Sequence, residues 1–488
     1  MNQKADIFKK IVSHAKEYGF VFPSSEIYDG LGAVYDYGPY GVELKNNLKE
    51  YWWKSMVQMH ENVVGIDSAI FMHPKIWEAS GHVGGFNDPM IDNKDSKKRY
   101  RADELIEGKI AQYRNKGKND KADQLHSDFV KCLEGDDLKG FYDLIIAHEI
   151  ACPESGSRNW TEVRQFNLMF STQMASAADA ADKVYLRPET AQGIFVNFLN
   201  VQKSARMKIP FGIAQIGKAF RNEIVARQFI MRMREFEQME MQFFVRPGEE
   251  QQWFEHWKEK RHNWHLSLGG QSENYRIHVH DKLAHYANAA VDIEYQFPFG
   301  FKEVEGIHSR TDFDLGNHQK FSGKKLQYFD PEINESYVPY VVETSIGVDR
   351  LFLTVLCNAY TEEEVGQGEK SDIRTVLKIP AMIAPVKVAI LPLVKKDGLP
   401  ELARKIMSRL QLQYNCRYDE KDAIGRRYRR QDAVGTPFCV TIDHDSLSDN
   451  AVTIRERDSM KQERVSIDRL EEVIRQGIHL ETSLMQQA

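Results

Sequence analysis

Arginine, aromatic and carboxylate residues recur at short intervals near the middle of the chain. The segment Phe220, Arg221, Asn222, Glu223 is followed by residues at even spacing, Arg232, Arg234, Phe236, Gln238 and Glu240. Alternate residues of a strand point to the same side, so this second set could enter one cavity. Arginine suits phosphate or carboxylate groups, an aromatic ring can stack on a purine, and carboxylates can hold an ammonium group. The pattern predicts a site for ATP and an amino acid; the alternative is a strand pair whose charges face solvent.

The elements that would position these residues can be read from apolar periodicity. Residues 209–220 and 233–244 alternate as two strands of an antiparallel pair, joined by the polar loop 221–232. Residues 340–344 read as a short strand, and residues 347–360 then change to helical spacing. Residues 41–62 predict an amphipathic helix, followed by a strand over 63–72 that is halted at Pro74.

Other binding motifs are absent or weak. No Gly-x-x-x-x-Gly-Lys-Ser/Thr loop occurs, so arginine must take the place of a P-loop. Residues 30–41 lack the spacing of a dinucleotide fingerprint, and we interpret them as a turn-rich structural segment. His278, His280 and His285 could suggest zinc, but the five cysteines are never closer than 20 positions and no fourth ligand is evident, so no zinc is expected.

Length and composition predict several soluble domains. The chain has 488 residues, with 42% hydrophobic and 28% charged residues and a net charge of −6, which favours a globular protein with a local rather than general nucleic-acid site. No signal peptide or apolar membrane segment is evident, so a cytoplasmic location and no membrane contact are expected. Residues 87–155 are polar and predict a helical insertion, with a solvated decoration as the alternative. From residue 381, strands alternate with helices, as in a compact α/β domain.

The central motifs resemble those of class II aminoacyl-tRNA synthetases. Arg221-x-Glu223, a loop and then Arg232, Phe236 and Glu240 resemble motif 2, and the segment from Ser345 to Arg350 resembles motif 3, while Pro74 resembles motif 1. Further stretches are similar to the dimeric glycyl-tRNA synthetase family, namely residues 186–193, 236–240, 305–306, 310–315 and 343–347. The resemblance covers the chain to about residue 472. It implies an α/β (α+β) fold with a catalytic antiparallel sheet in residues 1–86 and 156–380, the insertion 87–155, and an anticodon-binding domain over 381–488.

The resemblance also assigns roles to matching positions. Arg221 and Arg350 are the expected catalytic residues. The expected ATP-binding set is Arg221, Asn222, Glu223, Met231, Arg232, Met233, Arg234, Glu235, Phe236, Glu303, Val304, Gly347, Val348, Asp349 and Arg350. The expected glycine-binding set is Arg101, Glu189, Phe236, Glu237, Gln238, Met239, Glu240, Glu343, Thr344, Ser345, Ile346 and Gly347. Magnesium accompanying ATP would use Glu303 and Glu343, and contacts with tRNA(Gly) would use Arg426, Arg427, Tyr428, Arg429 and Arg430.

The implied reaction is ATP-dependent activation of glycine followed by transfer of the glycyl group to the 3′ end of tRNA(Gly). In this family Ser345 would lie close to the substrate α-carbon, where any side chain would collide, so no editing site is expected. Asp349 departs from the Glu that most class II enzymes have. A homodimer formed through the helix and strand before Pro74 is implied as well. The alternatives are a related synthetase for threonine, proline or histidine, and a non-enzymatic relative such as the accessory subunit of mitochondrial DNA polymerase. The alternative for residues 425–430 is a helix that faces solvent and whose arginines do not bind RNA.

Overall fold

A computed structural model describes residues 2–135, 137–174, 183–223, 228–280, 287–366 and 372–485. By internal contacts the chain divides into two compact units. The first unit consists of Met1–Ser68, Thr190–Lys218 and Phe236–Ala488, and the second consists of Ala69–Glu189 and Ala219–Glu235.

The strands within the described residues are β1 (Val21–Pro23), β2 (Tyr35–Tyr37), β3 (Val63–Gly65), β4 (Asn87–Asn93), β5 (Lys98–Arg101), β6 (Arg164–Asn167), β7 (Ser171–Gln173), β8 (Lys183–Tyr185), β9 (Phe211–Phe220), β10 (Glu235–Val245), β11 (Tyr275–Val279), β12 (Ala289–Phe297), β13 (Gly300–Thr311), β14 (Tyr328–Asp330), β15 (Glu335–Tyr337), β16 (Tyr340–Gly347), β17 (Tyr360–Val365), β18 (Asp372–Leu377), β19 (Val388–Pro392), β20 (Cys416–Tyr418), β21 (Phe438–Ile442), β22 (Ala451–Glu456) and β23 (Gln462–Ser466).

The α-helices in the same ranges are α1 (Asn2–Glu17), α2 (Pro39–Trp53), α3 (Lys75–Ala79), α4 (His82–Gly85), α5 (Ala102–Asn115), α6 (Asn119–Glu134), α7 (Leu138–Ala147), α8 (Ala191–Val196), α9 (Phe198–Ser204), α10 (Glu250–Ser267), α11 (Phe313–Ser322), α12 (Val348–Ala359), α13 (Leu399–Leu410), α14 (Ile424–Val434), α15 (Ser446–Asp449), α16 (Leu470–Ile478) and α17 (Leu480–Met485).

The first unit is built on a seven-stranded sheet in the order β11-β12-β13-β16-β10-β9-β3. Neighbouring strands from β11 to β10 are antiparallel, and the edge strand β3 pairs with β9 in parallel. The predicted strand pair and the predicted strand-to-helix step at residue 347 are therefore present, as β9, β10, β16 and α12. They confirm the antiparallel sheet expected from the sequence.

One face of this sheet packs on α10 through a buried ion pair. Arg261 donates to Glu305 at 2.6 Å, and His265 contacts the same carboxylate at 2.7 Å. Glu305 and His265 are fully buried. Because unpaired buried charges are costly, this pairing fixes the position of α10 behind β13. The opposite face of strands β10, β16 and β13 carries the polar residues described below.

The C-terminal part of the first unit has a five-stranded sheet in the order β20-β19-β21-β22-β23. Strand β19 pairs in parallel with both β20 and β21, while β22 and β23 continue antiparallel, which gives the mixed α/β domain predicted from residue 381. Asp432 of α14 is fully buried and accepts from Arg374 of β18 at 2.8 Å and from Arg455 of β22 at 2.9 Å. This triad ties the hairpin β17-β18 to the C-terminal domain.

The second unit contains a sheet that the sequence did not predict. Helices α5, α6 and α7 agree with the helical expectation for residues 87–155, but a three-stranded sheet in the order β5-β4-β6 accompanies them. Strand β4 reads Asn-Asp-Pro-Met-Ile-Asp-Asn, so its polar residues conceal it from an apolar-strand search. The helices and sheet share a hydrophobic core that includes Ile91, Tyr100, Leu125, Phe141 and Trp160.

Two other element boundaries differ from the prediction. The helix expected over 41–62 begins earlier, as α2, and ends in a π-helical turn at Lys54–Gln58. The strand expected over 63–72 stops at Gly65. The chain leaves the sheet there because Ser68 turns inward, where its backbone N–H and its hydroxyl both donate to Gln215 at 2.8 Å. A polar anchor therefore replaces the last part of the predicted strand.

Candidate functional site

A row of polar residues crosses three central strands of the first unit. In the register of β10, β16 and β13, Glu240 lies opposite Ser345, and Ser345 lies opposite Gly306. One step along, Glu343 of β16 lies between Gln242 and His308. Burying a carboxylate in a sheet costs free energy unless it accepts hydrogen bonds, so the donors around these carboxylates define the site.

Glu240 is held by three donors. Its side chain is only 3% exposed. Ser345 donates to Oε1 at 2.7 Å, Gln238 donates to the same oxygen at 3.2 Å, and the Thr190 hydroxyl donates to Oε2. The backbone N–H of Thr190 also donates to Gln238 at 3.2 Å, so Gln238 is itself fixed. The structure thus brings together Gln238, Glu240 and Ser345, three residues of the predicted glycine-binding set.

Glu343 is the second carboxylate of the row and is 4% exposed. Gln242 donates to Oε2 at 2.7 Å, His308 Nδ1 lies 3.0 Å from Oε1, and Arg310 donates to Oε1 at 3.3 Å. Arg310 is in turn gripped by Asp314, with nitrogen–oxygen distances of 2.7 and 3.0 Å. The carboxylates of Glu343 and Asp314 outnumber the guanidinium of Arg310. This part of the site is therefore negative overall, as an ammonium ligand requires.

Sequence reasoning did not include Thr190, Gln242, His308 or Arg310 among the site residues. Thr190 and Arg310 do lie in the segments 186–193 and 310–315 that carry the family resemblance. That resemblance was the available signal for these two. Gln242 and His308 enter only through cross-strand register, so no local sequence signal marks them.

Arg350, at the start of α12, pairs with Glu303 of β13. Their side chains approach to 2.9 Å, and Arg350 also donates to the Glu303 backbone carbonyl at 3.3 Å. Both side chains are partly exposed, Glu303 more than Arg350. Two residues predicted to bind ATP are therefore neighbours, and the salt bridge orients the arginine.

Glu237 and Asp349 lie together in a separate cluster within the first unit. Asp349 accepts from Lys45 at 2.8 Å, from the Glu237 backbone N–H at 2.9 Å and from the Tyr37 hydroxyl. Burial alone would raise the pKa of Glu237, but the ammonium groups of Lys45 and Lys49 outweigh it and hold the pKa below its usual value. The Glu237 side chain therefore faces away from Glu240. The carboxylate of Asp349, which is shorter than that of a glutamate, contacts Lys45 and Tyr37 directly.

In the second unit, Arg221 is fixed by its own surroundings. Its Nε donates to the Pro188 carbonyl at 3.0 Å, and its guanidinium lies 5.3 Å from the centre of the Phe86 ring. The neighbouring Glu189 contacts His82 at 3.3 Å. These contacts orient the Arg221 guanidinium within the second unit.

Arg101 lies in an acidic cluster of the second unit. It contacts Asp103 at 2.6 Å and Asp88 at 3.1 Å. Burial lowers the pKa of Arg101, but the hydrogen bond and charge of Asp103 and the charge of Asp88 outweigh it, so the net shift is upward. Burial raises the pKa of Asp88. Arg232 joins the cluster through Glu104, at 3.1 Å.

The predicted even-numbered face of one strand needs correction. Strand β10 begins only at Glu235, so Arg232 and Arg234 precede it, and Phe236, Gln238 and Glu240 are the members that lie on it. Arg234 instead donates to the Glu223 carbonyl at 2.9 Å, and its own carbonyl accepts from the Arg221 backbone N–H. Arg234 therefore supports the turn that carries Arg221.

The remaining predicted residues contribute mainly buried side chains or backbone. Asn222 donates its backbone N–H to Leu168 at 2.8 Å, and Gly347 ends β16 immediately before α12. Any ligand contact from the apolar members would use their backbone. The buried members of the set are Met231, Met233, Met239, Val304, Thr344, Ile346 and Val348.

The arginine-rich helix α14 separates the predicted RNA contacts into two kinds. Arg427 is 2% exposed and donates to the carbonyls of Pro392 and Asp419 at 2.7 and 3.1 Å. It stabilises the domain interior, which corrects its prediction as a direct RNA contact. Arg430 pairs with Asp419 at 2.8 Å, whereas Arg426 is exposed and its side chain has no hydrogen bond or ion pair among the described residues.

Tyr428 and Arg429 complete that helix. The Tyr428 hydroxyl contacts Thr441 at 2.6 Å, and Arg455 lies 4.7 Å from the centre of its ring. Arg429 lies 3.6 Å from the exposed carboxylate of Asp372. Arg426 is therefore exposed, while Arg429 and Arg430 are both partly exposed, Arg429 pairing with one carboxylate and Arg430 with two.

The histidines considered for zinc do not form a metal centre in the described part of the chain. His280 pairs with Asp292 at 2.8 Å, while His285 lies outside the described residues. Within the described ranges, no group of three or more His, Cys, Asp or Glu side chains is arranged to hold a metal ion. Across the same ranges, no helix combines the length and apolar character that crossing a bilayer requires.

Three protein-family descriptions match successive parts of the chain. Residues 88–168 match a glycyl-tRNA synthetase insertion domain, residues 170–359 match the class II tRNA synthetase core domain (G, H, P, S and T), and residues 387–477 match an anticodon-binding domain.

Curated relatives match over nearly the whole length. The glycine–tRNA ligase of Chlorobaculum tepidum is 54% identical over 95% of this chain and 98% of its own. Those of Acetivibrio thermocellus and Staphylococcus haemolyticus are 53% and 54% identical, over 95% and 94% of this chain and 96% of each relative. These matches confirm the resemblance and the fold class predicted from the motifs. The chain belongs to the glycine–tRNA ligase family of class II tRNA synthetases.

Proposed function

We propose that the protein activates glycine with ATP and transfers the glycyl group to the 3′ end of tRNA(Gly). The observation that carries this proposal is the polar row of the central sheet, in which Glu240 and Glu343 flank Ser345. The proposed catalytic parts are residues 1–86 and 156–380, with the insertion at 87–155 and the RNA-binding domain at 381–488.

Glycine recognition is proposed to depend on charge at one end and steric exclusion at the other. The carboxylates of Glu240 and Glu343 attract the α-ammonium group, and family resemblance adds Glu189, Arg101 and the backbone near Phe236 to the set. Ser345 is anchored to Glu240 at 2.7 Å and so cannot turn away from a larger substrate without losing that bond. Since no proteinogenic amino acid is smaller than glycine, exclusion by size is sufficient and no editing site is needed.

ATP activation is proposed to use Arg221 and Arg350 as the main cations. The glycine carboxylate attacks the α-phosphorus and pyrophosphate leaves. Because the nucleophile is already ionised, positioning and charge stabilisation account for most of the acceleration, and orientation alone can supply about 7 to 11 kcal/mol. Arg221 is held by a carbonyl and Arg350 by Glu303, so both guanidinium groups are oriented by protein contacts. Glu223 and Phe236 are the proposed adenine contacts.

Magnesium is proposed to accompany ATP and to neutralise phosphate charge. Magnesium binds preferentially to oxygen ligands such as carboxylates. Glu303 is five residues from His308, the cross-strand neighbour of Glu343, so the Cα atoms of Glu303 and His308 lie roughly 13 to 16 Å apart along the strand direction. Glu343 is also engaged by three donors. We therefore favour Glu303 over Glu343 as the protein ligand of the ion.

Partners beyond the small substrates follow from the family. The proposed tRNA contacts on α14 are led by Arg426 and Arg429, with Tyr428 and Arg430 beside them. A homodimer, formed through the helix and strand before Pro74, and a cytoplasmic location are proposed from the same resemblance.

The test is amino-acid-dependent exchange of pyrophosphate into ATP by the purified full-length protein. Glycine should support exchange, while alanine, threonine, proline and histidine should not. Charging of tRNA(Gly) with labelled glycine then tests the transfer step. Exchange that is equally fast with alanine, or absent with glycine, would contradict the proposal.

A further inference from the structure

His308 contacts one of the two carboxylates of the proposed glycine site without belonging to the predicted set. Its Nδ1 lies 3.0 Å from Glu343 Oε1, across the strand pair β13-β16. A carboxylate can only accept, so Nδ1 carries the hydrogen and donates it. His308 thereby occupies one oxygen of Glu343, while Gln242 occupies the other at 2.7 Å.

Glu343 has a third donor, Arg310, whose other contacts differ from those of His308 and Gln242. Arg310 approaches Glu343 at 3.3 and 3.4 Å, but it is held more closely by Asp314, at 2.7 and 3.0 Å. Its guanidinium therefore balances charge, whereas the shorter contacts from His308 and Gln242 set the plane of the Glu343 carboxylate.

Gly306 provides the space in which the His308 ring lies. A Cβ atom built at Gly306 would be 2.7 Å from His308 Cε1, closer than real side chains approach, and 3.6 Å from Asp292. Gly306 lies on β13 directly opposite Ser345, two residues before His308 and on the same face of the sheet. Any residue with a side chain at 306 would push the ring away from Glu343. The φ angle of Gly306 is not in the left-handed region, so space rather than backbone conformation explains the glycine.

We propose that His308 is a positioning residue that orients Glu343 toward the glycine ammonium group, and that Gly306 exists to admit its ring. The inference rests on the proposed function, since it assumes that Glu343 contacts glycine. It goes beyond that function by adding two residues that touch no substrate but determine how well one substrate group is held.

The test compares His308→Ala, His308→Asn and Gly306→Ala in pyrophosphate exchange, with glycine and ATP varied separately. His308→Ala should raise the KM for glycine by about tenfold or more, because small misplacements of a binding group are costly, and should leave the KM for ATP unchanged. His308→Asn keeps an N–H near the position of Nδ1 and should restore most of the loss. His444→Ala, at an exposed histidine of the C-terminal domain, is the matched control.

The link between the two residues is tested by a double-mutant cycle. Gly306→Ala alone should resemble His308→Ala, but in the His308→Ala background it should add nothing, because the ring it displaces is gone. Effects that multiply, a KM for ATP that rises equally, or a His308→Ala variant with normal glycine affinity would overturn the inference. Absence of glycine-dependent exchange in the unmodified protein would instead contradict the proposed function.

Discussion

Replacing Glu240 by glutamine tests the charge of the proposed glycine pocket with little change in volume. In the structure both carboxylate oxygens are used, Oε1 by Ser345 and Gln238 and Oε2 by Thr190. Glutamine keeps one accepting oxygen and turns the other into a donor. Because the hydroxyls of Ser345 and Thr190 can rotate and accept, the protein should stay folded while the negative charge is lost.

The magnitude follows from the interaction removed. A hydrogen bond to a charged group contributes about 1.5 to 3 kcal/mol, so losing the carboxylate–ammonium contact should weaken glycine binding by roughly 10- to 150-fold. Glu240 lies on β10 opposite Ser345, whereas Arg350 pairs with Glu303 of β13. We therefore expect the KM for glycine to rise by that factor and the KM for ATP to stay the same.

The assay is glycine-dependent pyrophosphate exchange, with thermal unfolding measured in parallel. Glu255→Gln, at a half-exposed position of α10, is a matched control that loses the same charge elsewhere. A Glu240→Gln variant with an ordinary KM for glycine would refute the role of this carboxylate. A variant that loses affinity for ATP and glycine equally, with lowered thermal stability, would show that Glu240 only supports the fold.

Four further predictions address other parts of the molecule. Arg221→Ala should slow adenylate formation by about 2.7 to 4 kcal/mol, the loss typical of one charge-stabilising donor, and near-normal glycine-dependent exchange would contradict this. Asp432→Ala removes the carboxylate that pairs with the buried Arg455 and one of the two carboxylates that pair with the buried Arg374, and should destabilise the C-terminal domain by about 3 to 5 kcal/mol in chemical unfolding; an unchanged transition would count against the triad. Burial lowers the pKa of Lys387 to about 7 from 10.5, so the unfolded chain binds more protons between those values. Stability should therefore rise with pH across that window, and Lys387→Met should abolish the rise in thermal unfolding. Arg426→Ala should weaken tRNA charging and lower the slope of log affinity against log salt by about 0.7, without altering pyrophosphate exchange; Arg469→Ala, at another exposed arginine, should do neither.

Much of the fold could be predicted because strands and helices of this chain carry clear local periodicity. The segments predicted at 209–220 and 233–244 correspond to β9 and β10, with boundaries shifted by two residues or fewer. Strand β4 was missed because Asn and Asp occupy four of its seven positions, Asp88 and Asn93 among them at buried sites, and its apolar run is short. The predicted strand after residue 65 failed because a side-chain anchor, Ser68 on Gln215, removes the chain from the sheet.

The candidate site was predictable where residue spacing along one strand or a family motif marks it. Glu240, Glu343 and Ser345 come from such motifs, and the structure brings Glu240 and Ser345 into direct contact. His308 and Gln242 were missed because their roles depend on which residues of β13 and β10 lie opposite β16. That register includes an irregularity near Ser309, which no local pattern reveals. Arg427 shows the converse, since a basic run reads as a surface although one of its members is buried.

The insertion leaves and rejoins the rest of the second unit at adjacent points. The backbone N–H of Leu168 donates to the carbonyl of Phe86 at 3.0 Å, so the residues that bracket the segment 88–168 are hydrogen-bonded neighbours. Between them the chain forms its own apolar interior. A segment whose ends are adjacent and which has its own hydrophobic core can be deleted and the gap closed with a short turn. It can also be inserted into another protein, and neither change distorts the remaining fold. The geometry makes residues 88–168 a self-contained structural module of the second unit.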